Sequence, residues 1–132
     1  MADLPMHYRS AYVWDGEAAT GTVTIADRPP LAVGTPHDSG RFSPEDMLLV
    51  AAEACLANYV VLIAEKSGLR VRAYRSDAEA VLGRDQNRLF RFERILLRPV
   101  LRVGAGDEAL ARKVVEKAHR LCLVANSLRC PV

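Results

Sequence analysis

The stretch Ser43-Pro44-Glu45-Asp46-Met47-Leu48-Leu49-Val50-Ala51-Ala52-Glu53-Ala54-Cys55 decides how the rest of the chain is read. Ser43 is a good N-cap, Pro44 suits the first helical position, and Asp46 completes a capping box. Glu45 and Asp46 complement the positive end of the helix dipole. The helix is expected to run to about Lys66, with Gly68 just beyond it as a stop. From Met47 to Ala64 only Glu53 and Asn58 are polar. A helix apolar on nearly every side should be buried nearly all round. Its length is marginally sufficient for a membrane span. The interior Glu53 and Asn58, the acidic cap and the strand-like flanks argue instead for a central core helix and for no membrane. A chain of 132 residues has trouble wrapping such a helix alone. A partner subunit would supply the cover, so a homodimer is expected.

Upstream of this helix the chain reads as short strands. His7 to Trp14 is rich in β-favouring residues and ends at the turn signal Asp15-Gly16. Thr20 to Ile25 is a second strand, and Leu31 to Val33, after Arg28-Pro29-Pro30, a third. Gly34 to Arg41 is a polar loop. Downstream, Leu69, Val71 and Ala73 alternate with Arg70, Arg72 and Tyr74 at the start of a long strand. Gly83 to Arg88 is a polar turn. The returning strand changes phase, from Phe90 and Phe92 to Ile95, Leu97 and Leu101, so a bulge is expected near Glu93-Arg94. Asp107 caps a second helix whose apolar face carries Leu110, Val114, Ala118, Leu121 and Cys122. Ser127 to Val132 is read as a short last strand.

The 132 residues fit one domain. Eighteen basic against sixteen acidic residues leave a charge of +2, too small to argue for nucleic acid or an anionic membrane. The many hairpin arginines are read as the solvated face of a sheet, since no aromatic platform accompanies them. No basic start precedes an apolar run, so a cytoplasmic location is expected. Three cysteines, Cys55, Cys122 and Cys130, do not make a disulfide framework. The three histidines are scattered, and no spacing calls for a metal or a cofactor. On composition alone, each cysteine is first a small core hydrophobe.

The central helix nevertheless resembles that of the OsmC/Ohr family. The family pattern is a Pro-Glu opening with a cysteine ten residues after the glutamate, and Glu45 and Cys55 keep that spacing. A second family cysteine closes a later helix, as Cys122 does before Leu123-Val124-Ala125-Asn126. The order of elements also matches, over nearly the whole chain. The resemblance implies an α+β fold with antiparallel sheets around two long central helices in an intertwined homodimer. It further implies a thiol peroxidase acting on organic hydroperoxides, in some branches hydrogen peroxide. Cys55 would attack the peroxide and become a sulfenic acid, Cys122 would close a disulfide with it, and a dithiol reductant, lipoyl-linked in some relatives, would restore both.

A buried mid-helix thiol needs a cation to ionise. Glu45 lies about 15 Å along the helix from Cys55, too far to touch it; its family role is to hold an arginine that does. Relatives of the Ohr kind carry that arginine in the first hairpin, where this chain has Gly16-Glu17-Ala18-Ala19. Arg41 is the first substitute and Arg28 the second; Arg41 is equally readable as a solvated loop residue. Glu53, about 200° round the helix from Cys55, is read as a pairing group at a dimer interface or rim. Tyr59 shares the face of Cys55 and is read first as a core aromatic. His119 stands one turn before Cys122, as a base there or as an exposed helix-end cation. A helix end at Cys122 would raise its pKa, and a fresh helix beginning there would reverse the sign. The rival to the enzyme is a non-catalytic dimer of the same fold that binds a small apolar molecule or serves as a redox-sensitive module.

Overall fold

The computed structural model describes residues 3–132. The chain divides into two compact units, the first ending at Met47 and the second comprising Leu48–Val132.

The first unit is an antiparallel sheet of β1 (Ala11–Trp14), β2 (Gly21–Thr24) and β3 (Leu31–Val33) in sequential order. The first strand starts at Ala11 and not at the expected His7, because only four residues find partners in the equally short β2. Asp15 N donates to Thr20 O (3.0 Å) to close the β1–β2 turn, with Gly16 at φ +93°. After β3 the loop folds back on itself. Gly34 N donates to Phe42 O and Phe42 N to Ala32 O, both at 3.0 Å. Asp38 holds the loop from within, accepting the N–H of Thr35 at 2.6 Å and its hydroxyl at 3.1 Å. These bonds keep its carboxyl below the usual carboxylate range.

Helix α1 (Pro44–Lys66) begins and ends where the capping residues place it. Ser43 N donates to Asp46 Oδ2 (2.9 Å) and Asp46 N donates to Ser43 Oγ (3.1 Å), a reciprocal capping box. At the far end Leu69 N reaches Ala64 O (2.9 Å) and Gly68 N reaches Glu65 O (3.3 Å), with Gly68 at φ +72°. This is a Schellman stop, and only glycine takes that φ without cost. It also consumes Leu69, so the following strand starts at Ala73 rather than at Leu69.

In the second unit β4 (Ala73–Arg84) and β5 (Phe90–Arg102) form a long antiparallel hairpin. The register jumps from Val81↔Arg94 to Leu82↔Phe92, leaving Glu93 as the bulged residue where the phase change placed it. Asp85 organises the tip by accepting the N–H groups of Asn87 and Leu89. Helix α2 (Glu108–Leu121) buries Ala111, Val114 and Ala118. Asp107 occupies its N-cap but makes no side-chain cap bond; Glu108 instead accepts the Gly106 N–H at 3.0 Å. Leu121, expected on the apolar face, is 44% exposed. The core joins Leu56, Val60 and Ala64 of α1 to Ala111, Val114 and Ala118 of α2, with Tyr74, Leu97 and Leu101 packed on it from the hairpin.

One expectation fails here. The tail forms no strand: Leu123–Ser127 is a short helix, α3, and beyond it one backbone bond, Ile95 N to Pro131 O (2.9 Å), reaches the hairpin. Pro131 has no N–H with which to extend a ladder. As expected for so short a chain, α1 is not covered all round within it. Its buried positions Ala52, Leu56, Val60 and Ala64 recur every four residues on one face, while Val50, Val61 and Leu62 are each more than half exposed. By length and hydropathy α1 could cross a membrane, yet its buried face supplies the core of the second unit.

Candidate active site: a cysteine pair at a helix junction

Cys122 stands at the junction of α2 and α3, as C-cap of one helix and N-cap of the next. Its ψ of 113° breaks the helical path, its N–H reaches back to His119 O, and its carbonyl accepts Asn126 N. The side chain is 1% exposed. Cys55, half-buried on α1, is its side-chain neighbour. Two sulfurs 67 residues apart in sequence (122 less 55) thus adjoin within one unit.

The environment keeps Cys122 protonated. Burial pushes its thiol above the ordinary value, and the adjoining Cys55 thiol adds to the rise. The N–H groups of Ala125 and Val124 at the start of α3 pull the other way. Burial is the larger effect and prevails. The rise comes from burial rather than from the expected helix end; a helix does begin at Cys122, but its contribution is the smaller one.

Glu53 finds a hydrogen-bond partner within the chain. Ser76 Oγ donates to Glu53 Oε2 at 2.5 Å. Tyr74, two residues earlier on the same face of β4, has a buried hydroxyl without a hydrogen-bond partner among the described residues. Burial raises the Tyr74 pKa, and the Glu53 charge adds to it. Sequence reading missed Tyr74 and Ser76. The expected alternation grouped Tyr74 with Arg70 and Arg72, but β4 starts only at Ala73 and in the opposite phase, with Ala73 exposed and Tyr74 and Ser76 on the inward face. Tyr59 packs against the core cluster, Asn58 is exposed, and Cys130 is half-buried in the tail. His119 is exposed, its Nε2 2.7 Å from the carbonyl oxygen of Val132.

The remaining site candidates belong to the first unit and the first turn of α1. Arg41 makes an ion pair with Asp15 (3.2 Å) and donates to the carbonyls of Gly21 (3.2 Å) and Val33 (3.4 Å). Asp15 was read only as a turn residue; its carboxylate at the end of β1 tethers the loop arginine to the hairpin. Glu45, half-buried, has no ion-pair partner among the described residues. Arg28 pairs with the adjacent Asp27 in full exposure. No cluster of metal-ligating side chains occurs among the described residues.

Residues 36–132, which contain both cysteines, α1 and the hairpin, match the family of OsmC-like proteins. This chain belongs to that family. A curated relative, the uncharacterized protein YmaD of Bacillus subtilis (strain 168), is 30% identical over 91 residues. That match spans 66% of the OsmC-like chain and 60% of the relative, less than two thirds of its length. The fold has close counterparts among solved structures. An OsmC-like protein of unknown function from Vibrio cholerae superposes with a TM-score of 0.88 at 18% identity, covering 96% of both chains. An organic hydroperoxide resistance protein from Legionella pneumophila gives 0.77 at 18% identity, over 96% of this chain and 92% of its own. OhrB, the organic hydroperoxide resistance protein of Bacillus subtilis, gives 0.70 at 18% identity, over 94% and 91%. Such identities establish the α+β OsmC fold, and the neighbours that share it include proteins named for hydroperoxide resistance.

Proposed function

We propose that this OsmC-like chain is a cysteine-based thiol peroxidase that reduces organic hydroperoxides. The observation that carries the reading is the apposition of Cys55 and Cys122. Attack of the Cys55 thiolate on the peroxide breaks the O–O bond, releases the alcohol and leaves a Cys55 sulfenic acid. Cys122 then attacks that sulfur, water leaves, and the disulfide closes. A dithiol, lipoyl-linked in some relatives, returns both thiols to the reduced state. The buried, protonated Cys122 suits the second, resolving role better than the first. A cytoplasmic location, where thiols are kept reduced, is part of the same reading.

The guanidinium that favours the Cys55 thiolate is assigned to Arg41, with Glu45 as its orienting carboxylate. Arginine has five N–H donors, so one carboxylate and two carbonyls do not exhaust Arg41. A homodimer is part of the same reading. The uncovered stripe of Val50, Val61 and Leu62 on α1 needs a partner of its own kind. One observation favours the non-catalytic alternative, the tether of Arg41 to Asp15 in a chain whose first hairpin has no arginine.

Consumption of cumene hydroperoxide in the presence of dihydrolipoamide separates the two. The enzyme turns over, loses turnover as Cys55→Ser, and as Cys122→Ser retains a single round that ends in a sulfenic acid. Absence of turnover by the unaltered chain with both dihydrolipoamide and dithiothreitol selects the binding module.

A further inference from the structure

The geometry points to Cys55 as the sulfur through which the oxidised pair is reduced, with Cys122 as the group expelled. This order deepens the peroxidase reading above and takes its place in that cycle from it; its direction comes from the burial of the two sulfurs. Thiol–disulfide exchange needs a thiolate to approach one sulfur in line with the bond that breaks, so access to each sulfur decides which is attacked. Cys122 is 1% exposed, whereas Cys55 is half-buried.

The segment that follows Cys122 is held in place by several independent bonds. Asn126 N donates to the Cys122 carbonyl (3.0 Å) and Asn126 Nδ2 to Arg120 O (3.0 Å). Ser127 Oγ donates to Leu123 O (2.8 Å), and His119 meets the Val132 carbonyl (2.7 Å). These bonds fix the turn that keeps Cys122 buried, while Cys55 stands half-buried on α1.

A second effect opposes access. The better leaving group is the thiol of lower pKa, and burial makes Cys122 the poorer one. Leaving-group chemistry alone would send the attacker to Cys122. Access overrides it, because a sulfur that no attacker can meet in line does not react at all. The balanced step is then fixed. One thiolate of the dithiol bonds to the Cys55 sulfur, the Cys55–Cys122 bond breaks, and its electron pair goes to Cys122, which takes up a proton. The second thiol of the reductant attacks the reductant's own sulfur in the mixed disulfide and releases Cys55 as thiolate. The reductant leaves as a disulfide, two electrons and two protons poorer.

The test uses the full chain oxidised with diamide, so that the disulfide does not depend on a peroxide. Reduced glutathione is added briefly, the mixture is acid-quenched, and free thiols are blocked before peptide mass spectrometry. Cys55 should carry the glutathione at least about tenfold more often than Cys122, and the ratio should collapse toward unity in concentrated urea, where access is equalised. As an independent check, the Cys122→Ser chain, with only Cys55 of the pair, should react with Ellman's reagent about tenfold faster than Cys55→Ser, with Cys130 replaced by serine in both. Equal labelling in the native protein, or labelling mainly at Cys122, overturns the assignment, as does failure of diamide to join the pair. A disulfide that forms with diamide but not with hydroperoxide overturns the peroxidase reading and leaves the order of attack standing.

Discussion

Alkylation of Cys122 should begin only at a pH well above that of an ordinary thiol. Burial and the adjoining Cys55 thiol raise its pKa above 9.0, and the Ala125 and Val124 N–H groups do not restore it. Near neutral pH Cys122 therefore carries its thiolate less often than an ordinary thiol does. Pulsed iodoacetamide labelling between pH 6 and pH 10, read by peptide mass spectrometry on the reduced protein, follows this directly. The Cys122 rate should climb about tenfold per pH unit through pH 9 without a plateau. In Cys55→Ala the inflection should fall toward the ordinary value, because one of the groups that raises it is gone. The same shift bears on stability. A thiol whose pKa is raised by folding ionises first in the unfolded chain, so the native state loses stability as the pH climbs above the ordinary thiol value. The slope is at most about 1.4 kcal/mol per pH unit until the folded value is reached. A labelling plateau below pH 9 would mean that the α3 N–H groups outweigh burial, and would refute this reasoning.

Other substitutions probe the frame that holds the pair. Ser43→Ala removes the reciprocal cap of α1 and should cost ~1 kcal/mol in urea unfolding; an unchanged midpoint contradicts the capping box. The Ser43 bonds hold the Asp46 carboxyl below 3.8, so their stabilisation is present above that value and fades as pH falls through the lower folded one. Acid titration should therefore show less loss for Ser43→Ala than for the unaltered chain, and equal losses would exclude the linkage. Gly68→Ala forces a β-carbon into the left-handed region and should destabilise by ~1 kcal/mol, measured the same way. Leu56→Ala, one position from Cys55 and 3% exposed, should cost ~2–5 kcal/mol, with a loss below 1 kcal/mol arguing that α1 does not anchor this core.

Much of the fold was legible because local chemistry dictated it. Ser43, Pro44 and Asp46 fixed one end of α1 and Gly68 the other, and the phase change at Glu93 located the bulge. Misreadings came where an alternation had no way to announce its competitors. Leu69 reads as the first residue of a strand, but its N–H is taken by the Schellman stop. Ser127 to Val132 reads as extended, but Asn126 N bonds to Cys122 O and Ser127 Oγ to Leu123 O in a short helix, and Pro131 cannot continue a ladder. The incomplete cover of α1 was legible too, since hydropathy reports what a helix needs and the chain length what one chain can supply. Within the site, the two cysteines were found through a family spacing, since neither stands out by composition. The partners of Arg41 and Glu53 were not foreseeable. Asp15 and Ser76 lie 26 and 23 residues away (41 less 15, 76 less 53) and become neighbours only through strand pairing and packing.

The most direct measurement is the fate of the three thiols after one equivalent of cumene hydroperoxide. Two should disappear, with peptide mapping placing the new bond between residues 55 and 122, and replacement of Cys55 by serine should leave the count unchanged. Thiols that survive for hours, or a bond that joins Cys130 to either of the others, would contradict the pairing on which the chemistry depends.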